Sequence, residues 1–264
     1  MKLSPAEIRS QKLTDEHFDS AVEQVRGNGC VVFESVIEPN LLQELREEFA
    51  AEFLGYISKT ESNRGPNRYQ MHLPFRLPFC HESVIANPLV LPVIRSLLNE
   101  DCICQYFASD TPLPGSEYQK VHMDYQHLFP DIPHQPISAY GLVLNLPLVD
   151  FTEQNGAVEI WPGGSHLIAP GVDIQRLAES MYSKRLLMPA GSLLLRDMRM
   201  WHRGTPNESD EPRPNLAFIY ARNWLGTRYP KIRIPKETYD GLSEAARHLF
   251  RLEAITSGIS DNPR

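Results

Sequence analysis

Ile137-Ser-Ala-Tyr-Gly-Leu-Val-Leu-Asn-Leu146 is a short β-like run that follows a proline-rich segment. Five more runs share its character: Cys102–Ala108, Tyr118–Asp124, Ala157–Trp161, Gly191–Arg196 and Asn215–Asn223, set apart by proline and glycine. Several short strands at this spacing predict a sandwich or barrel. The expected fold class is therefore mainly β, with a core over about residues 101–225 and α-helices flanking it.

Outward from that core the pattern changes. The first hundred residues predict a helical portion. Thr14 caps a helix with Phe18, Val22 and Val25 on one face, and Gly27 with Gly29 ends it. Pro39 opens a second helix whose Leu42, Leu45, Phe49 and Phe53 form a stripe through about Leu54, and a third covers Leu89–Leu98. Between them, Gly55–Phe79 is expected to be irregular, and long loops of this kind often carry function. A helical segment at Leu242–Ala254, within about 240–255, closes the chain, which is expected to be one domain over residues 1–264.

Composition narrows the partners. Hydrophobic residues make 42% of the chain and charged ones 22%, an ordinary globular balance, and the net charge of −7 without a dense basic block excludes a nucleic-acid partner. The four cysteines, Cys30, Cys80, Cys102 and Cys104, form no C-x-x-C pattern and are expected as reduced thiols. No leader-like run opens the chain, and no window reaches the roughly eighteen apolar residues of a membrane span. A cytoplasmic protein acting on a small molecule, away from membranes, is expected; its oligomeric state is left open.

The chemistry concentrates in His122-Met-Asp124 and, far downstream, in His202 and Arg213. In a strand, residues i and i+2 share a face, so His122 and Asp124 can reach one metal together, with His202 as a third ligand. Two histidines and one carboxylate leave coordination positions open, as non-haem Fe(II) oxygenases require and closed zinc sites do not.

Four motifs in order strengthen this: Gln119-Lys-Val-His122-Met-Asp124; Asn155-Gly-Ala-Val-Glu-Ile-Trp-Pro-Gly-Gly-Ser-His166; Ala190-Gly-Ser-Leu-Leu-Leu; and Trp201-His-Arg-Gly-Thr-Pro-Asn207, leading to Arg213-Pro-Asn-Leu-Ala-Phe. Together they resemble the phytanoyl-CoA dioxygenase-like (PhyH) branch of the Fe(II)/2-oxoglutarate oxygenases. That resemblance implies a double-stranded β-helix, a cupin-like jelly roll, with His122, Asp124 and His202 on Fe(II) and Arg213 on the far carboxylate of 2-oxoglutarate. It also implies the reaction, in which O2 and 2-oxoglutarate are consumed, succinate and CO2 are released, and a C–H bond of a small organic metabolite is oxidised. Retention of Asp124, where halogenating relatives have Gly or Ala, favours hydroxylation or a related oxidation.

Two departures qualify the resemblance. Many relatives place a hydroxyl residue two positions after the distal histidine; here Gly204 stands there, and Thr205 is carried as a cosubstrate helper instead. Gln119 matches a cosubstrate-binding glutamine, yet plain alternation turns it away from His122 unless a bulge intervenes. Arg68, Tyr125 and His127 are the expected substrate contacts, placed in two loops, Gly55–Phe79 and Tyr125–Pro136. His166 is a rival ligand read as part of a turn, His134 a loop histidine, Trp161 and Trp201 core or wall aromatics, and Arg222 and Arg228 surface ion-pairing groups. Two other classes remain open, a cupin-like metal-dependent hydrolase or isomerase and a non-catalytic binding relative. The metabolite is left unassigned, with specialised metabolism favoured.

Overall fold

The computed structural model describes residues 1–132, 137–226 and 229–257. The first half of the chain runs α1 (Pro5–Ser10), α2 (Asp15–Asn28), β1 (Cys30–Phe33), α3 (Pro39–Ile57), β2 (Arg68–His72), α4 (Glu82–Ile85), α5 (Leu91–Leu98) and β3 (Ile103–Pro112). The second half continues β4 (Gly141–Pro147), β5 (Glu159–Ile160), α6 (Ile174–Ser180), β6 (Lys184–Arg185), β7 (Leu193–Asp197), β8 (His202–Arg203) and β9 (Asn215–Ala221). Past β9 come β10 (Arg233–Pro235), α7 (Lys236–Gly241), α8 (Glu244–Phe250) and β11 (Ala254–Thr256). The molecule is mainly antiparallel β with helices packed around it.

Six strands make the main sheet in the order β1-β7-β4-β9-β3-β2, and a smaller sheet has the order β6-β5-β8. Alternation sorts the residues of the main sheet between two buried faces. Leu142, Leu144 and Leu146 of β4, Leu193 and Leu195 of β7, and Leu216 and Phe218 of β9 enter the large core built with the helices. Their neighbours Val143, Asn145, Leu194, Arg196, Asn215, Ala217 and Ile219 turn the other way, into a cavity that the region of the small sheet helps to enclose.

The helices form where the sequence places them. Thr14 Oγ1 accepts a hydrogen bond from the His17 amide at 3.2 Å, and α2 ends at Gly29 with φ +87°. A Cβ there would meet His166 Nδ1 at 2.9 Å, so glycine is required for both its backbone angle and its space. α3 runs through Ile57 rather than Leu54 and buries Leu42, Leu45, Phe49 and Phe53, while α5 begins at Leu91 instead of Leu89.

Three expectations are corrected. The first hundred residues are not only helical, because β1 and β2 supply both edge strands of the main sheet, β1 against β7 and β2 against β3. Strands this short carry too few alternations to be recognised, and the segment Gly55–Phe79, read as irregular, contains β2. The run Tyr118–Asp124 is not a regular strand; only His122 makes a bridge, to His202. Its other amides go to scattered partners: Gln119 N–H to Gly204 O, Val121 N–H to Gln175 Oε1, and Asp124 N–H to Met198 O. The closing helix is broken into α7 and α8 where Ser243 caps the second, and β11 then pairs in parallel with β10. No helix among the described residues is long and apolar enough to cross a membrane.

The edge strand β1 tests whether the N-terminal portion belongs to the β core. Phe33 is fully buried and pairs in register with Leu193. Truncation of Phe33 to Ala should cost about 3–5 kcal/mol, seen in thermal denaturation as one transition at a lower midpoint. An unchanged midpoint would mean that β1 packs independently of the sheet.

Candidate metal and cosubstrate site

The main chain builds the centre of the site first. His122 N–H donates to His202 O and His202 N–H donates to His122 O, both at 3.0 Å, which fixes the two imidazoles side by side with ring centroids 4.3 Å apart. Each ring also has its Nδ1 beside a backbone carbonyl, His122 with Lys120 O at 2.8 Å and His202 with Met200 O at 3.0 Å. A carbonyl only accepts, so each Nδ1 carries the hydrogen and each Nε2 presents a lone pair. Asp124 Oδ1 lies 3.5 Å from His202 Nε2, and the three side chains offer ligand atoms within 4.8 Å of one another.

Electrostatics keeps this set in the form a cation needs. Burial and the neighbouring His202 pull the His122 imidazole down to about 4, so it is neutral near pH 7. Burial alone would raise the Asp124 carboxyl. Arg196, 2.6 Å from Oδ2, and then His202 outweigh burial and hold it well below the usual carboxylate range. Arg196 is itself oriented by its Nε donating to Asn145 Oδ1 at 3.2 Å. Two imidazoles with oriented Nε2 atoms and one ionised carboxylate match the donor set of an open divalent-metal site.

The same cavity extends along β9. Arg196 pairs with Val143 and Val143 with Ile219, so the Asp124 end is level with Ile219. Ala217, Asn215 and Arg213 follow on the same face, as alternation from Arg213 predicts. Arg213 is 2% exposed and lies over the Phe151 ring, 4.2 Å from its centroid. Burial, only partly offset by Asp110, draws its guanidinium down to about 9, still charged at neutral pH. Its Nε and one terminal nitrogen have no protein partner. A buried, charged, two-pronged donor of this kind fits a carboxylate.

The remaining sequence candidates separate clearly. Gln119 lines the cavity, its Oε1 accepting from the Gly204 amide at 2.9 Å, because the segment is irregular and alternation does not govern it. Thr205 does not face the cavity; it is fully buried and its hydroxyl donates to Ala157 O at 2.8 Å. Arg68 is corrected from a loop residue to a buried one at the start of β2, bound to Asp110 and to Thr205 O. Tyr125 donates to Gly226 O and stacks edge-on to Tyr140, and His127 lines a separate hollow with Arg199. Neither lines the metal cavity.

Of the other groups, His166 points its Nε2 at Arg26 O, and Arg222 is held by the carbonyls of Ala139 and Leu97. Trp161 and Trp201 are buried in a small apolar cluster. His134 and Arg228 lie outside the described residues.

Residues that sequence reading missed include Asp110, Tyr106, Tyr229, Arg196 and Asn145, all lining the cavity. Two left a signal. Arg196 ends the run Leu193-Leu-Leu, and Asn145 interrupts Leu142-Val-Leu; a polar residue on the inner face of a buried strand needs a partner. From the segment Gly55–Phe79, Arg64 and Gln70 reach the cavity.

The chain is similar in sequence and fold to known proteins. The family model described as "Phytanoyl-CoA dioxygenase (PhyH)" matches residues 25–215, well over half of the chain. Dioxygenase af480 of Aspergillus fumigatus is 26% identical over 184 residues, covering 65% of this chain but only 55% of that protein's length. Dioxygenase trt7 of Aspergillus terreus is 21% identical over 255 residues, covering 90% of this chain and 85% of that protein. Among solved structures, AviO1 from Streptomyces viridochromogenes Tue57 superimposes with a TM-score of 0.62 at 17% identity, covering 79% of this chain and 96% of its own. EvdMO1 also gives 0.62 at 17% identity, over 78% of this chain and 50% of that one.

Arg196 provides a test of the electrostatic argument. With Arg196→Gln the Asp124 carboxyl loses its nearest cation and its pKa rises, so protons compete for it at higher pH. Metal uptake followed against pH should then fail nearer neutrality than in the native protein. Identical pH profiles would show that Arg196 does not set the charge of Asp124.

Proposed function

The chain belongs to the PhyH family of dioxygenases, and from that premise we propose that it is an Fe(II)- and 2-oxoglutarate-dependent oxygenase acting on a C–H bond of a small organic molecule. On this reading the two sheets enclosing the cavity are the double-stranded β-helix of one domain. The observation that carries it is the pairing, in one cavity, of the His122–Asp124–His202 cluster with the buried, incompletely partnered guanidinium of Arg213.

The residues fit the groups they would hold. His122 and His202 offer Nε2 and Asp124 offers Oδ1, leaving open positions for the keto-acid end of the cosubstrate and for O2. Arg213 would take the distal carboxylate through its Nε and terminal nitrogen, and Phe151 under the guanidinium excludes water from that end. Iron and 2-oxoglutarate, when bound, supply the oxidising power, with succinate and CO2 as the coproducts. The protein's own work is placement. Arg196 holds Oδ2 of Asp124 and so leaves Oδ1 turned toward the imidazoles. The backbone pair of His122 and His202 sets the angle between the rings, and Gln119 ties the His122 segment to Gly204.

The substrate enters where Arg64, Gln70, Tyr106 and Tyr229 border the cavity. Tyr106 and Tyr229 have ring centroids 4.5 Å apart, and Arg64 is exposed beside them. This border, rather than Tyr125 or His127, is where selectivity is expected.

Two measurements test the reading. Purified protein given Fe(II) and O2 should release succinate from 2-oxoglutarate, and His122→Ala, Asp124→Ala or His202→Ala should each abolish release together with metal uptake in anaerobic metal analysis. Arg213→Ala should instead keep the metal and weaken 2-oxoglutarate binding by about two to three orders of magnitude, the equivalent of roughly 3–5 kcal/mol for stripping a buried ion pair of one partner. Calorimetry on the Mn(II) form reads this directly. Retention of metal by all three ligand variants, or an unchanged cosubstrate affinity in Arg213→Ala, contradicts the assignment.

A further inference from the structure

We propose that Arg68 is a positioning residue for the cosubstrate site. It holds Asp110 away from Arg213 and so keeps that arginine open to a ligand carboxylate, and Gly204 is the residue whose missing side chain admits it. The inference rests on the reading of the cavity as a 2-oxoglutarate site.

Arg68 is among the largest fully buried side chains, 1% exposed. One terminal nitrogen contacts Asp110 Oδ2 at 3.1 Å and the other donates to Thr205 O at 2.9 Å. The same Asp110 Oδ2 lies 3.7 Å from a terminal nitrogen of Arg213, outside good hydrogen-bond range. One carboxylate therefore stands between two buried guanidiniums, bound by the first and only near the second. Two cations and one anion leave a single uncompensated positive charge, located where Arg213 still has donors without a protein partner. A ligand carboxylate completes the balance.

Asp110 would be a strong competitor for that place. It lines the cavity and its side chain is 36% exposed. A free carboxylate beside a buried guanidinium closes onto it with two parallel hydrogen bonds, which would consume the donors the cosubstrate needs. Arg68 prevents this by offering Asp110 a nearer partner on the opposite side.

Gly204 shows that space was made for the arrangement. Its backbone does not adopt a positive φ, so conformation does not demand glycine there. A Cβ at 204 would sit 2.5 Å from Arg68 Cζ and 2.5 and 2.7 Å from its terminal nitrogens. The guanidinium is anchored at both ends, so any side chain at 204 must displace it. Gly204 is thus the steric counterpart of a buried arginine arriving from β2.

The test is a double-variant cycle read by calorimetric titration of Mn(II)-loaded protein with 2-oxoglutarate. Arg68→Met should weaken binding by about tenfold or more, with Mn(II) affinity unchanged. Asp110→Asn, which removes the competitor, should bind at least as tightly as the native protein. Combining the two should restore near-native affinity, a rescue that a purely structural role for Arg68 would not give. Gly204→Ala should behave as Arg68→Met and be rescued in the same way. Near-native binding in Arg68→Met, equal weakness in the single and double variants, or a tenfold loss in Asp110→Asn alone each overturns the proposal; the last holds even where Arg68→Met fails to fold. Native protein that binds Mn(II) but not 2-oxoglutarate overturns the functional reading itself, and is distinguished by the native titration.

Discussion

Two reciprocal hydrogen bonds between the main chains of His122 and His202 hold the site together. One partner lies in an irregular segment and the other in a two-residue strand, so neither has a long ladder to fix it. The pair does what a ladder would do over a single rung. It sets the separation of the rings, and the carbonyls of Lys120 and Met200 then set which nitrogen of each ring is left for a metal. Asp124 follows from the same anchor, because its amide bonds to Met198 O on the turn that leads into β8. The three ligand atoms are thus brought together mainly by backbone geometry, and the side chains are oriented second.

Around this anchor the main sheet solves a conflict. Its strands are buried on both faces, the arrangement that favours apolar residues throughout, yet a polar cavity is needed on one side. The sheet keeps leucine and phenylalanine on the helix-packed face and admits Asn145, Arg196, Asn215 and Asp110 on the other. Burying such groups is costly unless they are paired. Arg196 is paired with Asp124 and Asn145, and Arg68 with Asp110 and a carbonyl. Arg213 alone among these arginines is left with only a distant carboxylate and an aromatic ring. The imbalance is local, and it is located where a dicarboxylate would be gripped.

The β core and helices α2, α3 and α5 were legible because each rests on a short-range pattern, an alternation or a capped stripe, whereas the metal cluster was legible from its residue types and is assembled by the His122–His202 backbone bridge rather than by strand alternation. Arg213 was legible through the family resemblance, and alternation added only that Asn215 and Ala217 share its face. What escaped was set by partners distant in the chain. β1 and β2 are too short to announce themselves and exist because β7 and β3 offer edges. Tyr118–Asp124 has strand-like composition but spends its amides on Gly204, Gln175, His202 and Met198, so it never becomes a strand. That failure of alternation is also why Gln119, assigned to the wrong face by regular geometry, reaches the cavity. Thr205 donates its hydroxyl to Ala157 O, an acceptor distant in the chain in the segment that leads into β5, and no local pattern signals that contact.

Arg68 shows why such misreadings gather at a functional site. In sequence it sits among Arg64, Pro66 and Tyr69, a composition that reads as an exposed loop. In the structure it is carried inward by the pairing of β2 with β3, which sets Arg68 opposite Pro112, while the Arg213 amide bonds to Pro112 O. One residue of β3 thereby puts the two arginines on either side of Asp110. No local rule encodes a charged residue buried in this way, and the local rules that it breaks, an arginine without solvent and a glycine without a turn, explain each other only when both are seen in contact. In this chain the absence of a side chain at position 204 and the guanidinium of Arg68 occupy one space, so each residue accounts for the other although they are far apart in sequence.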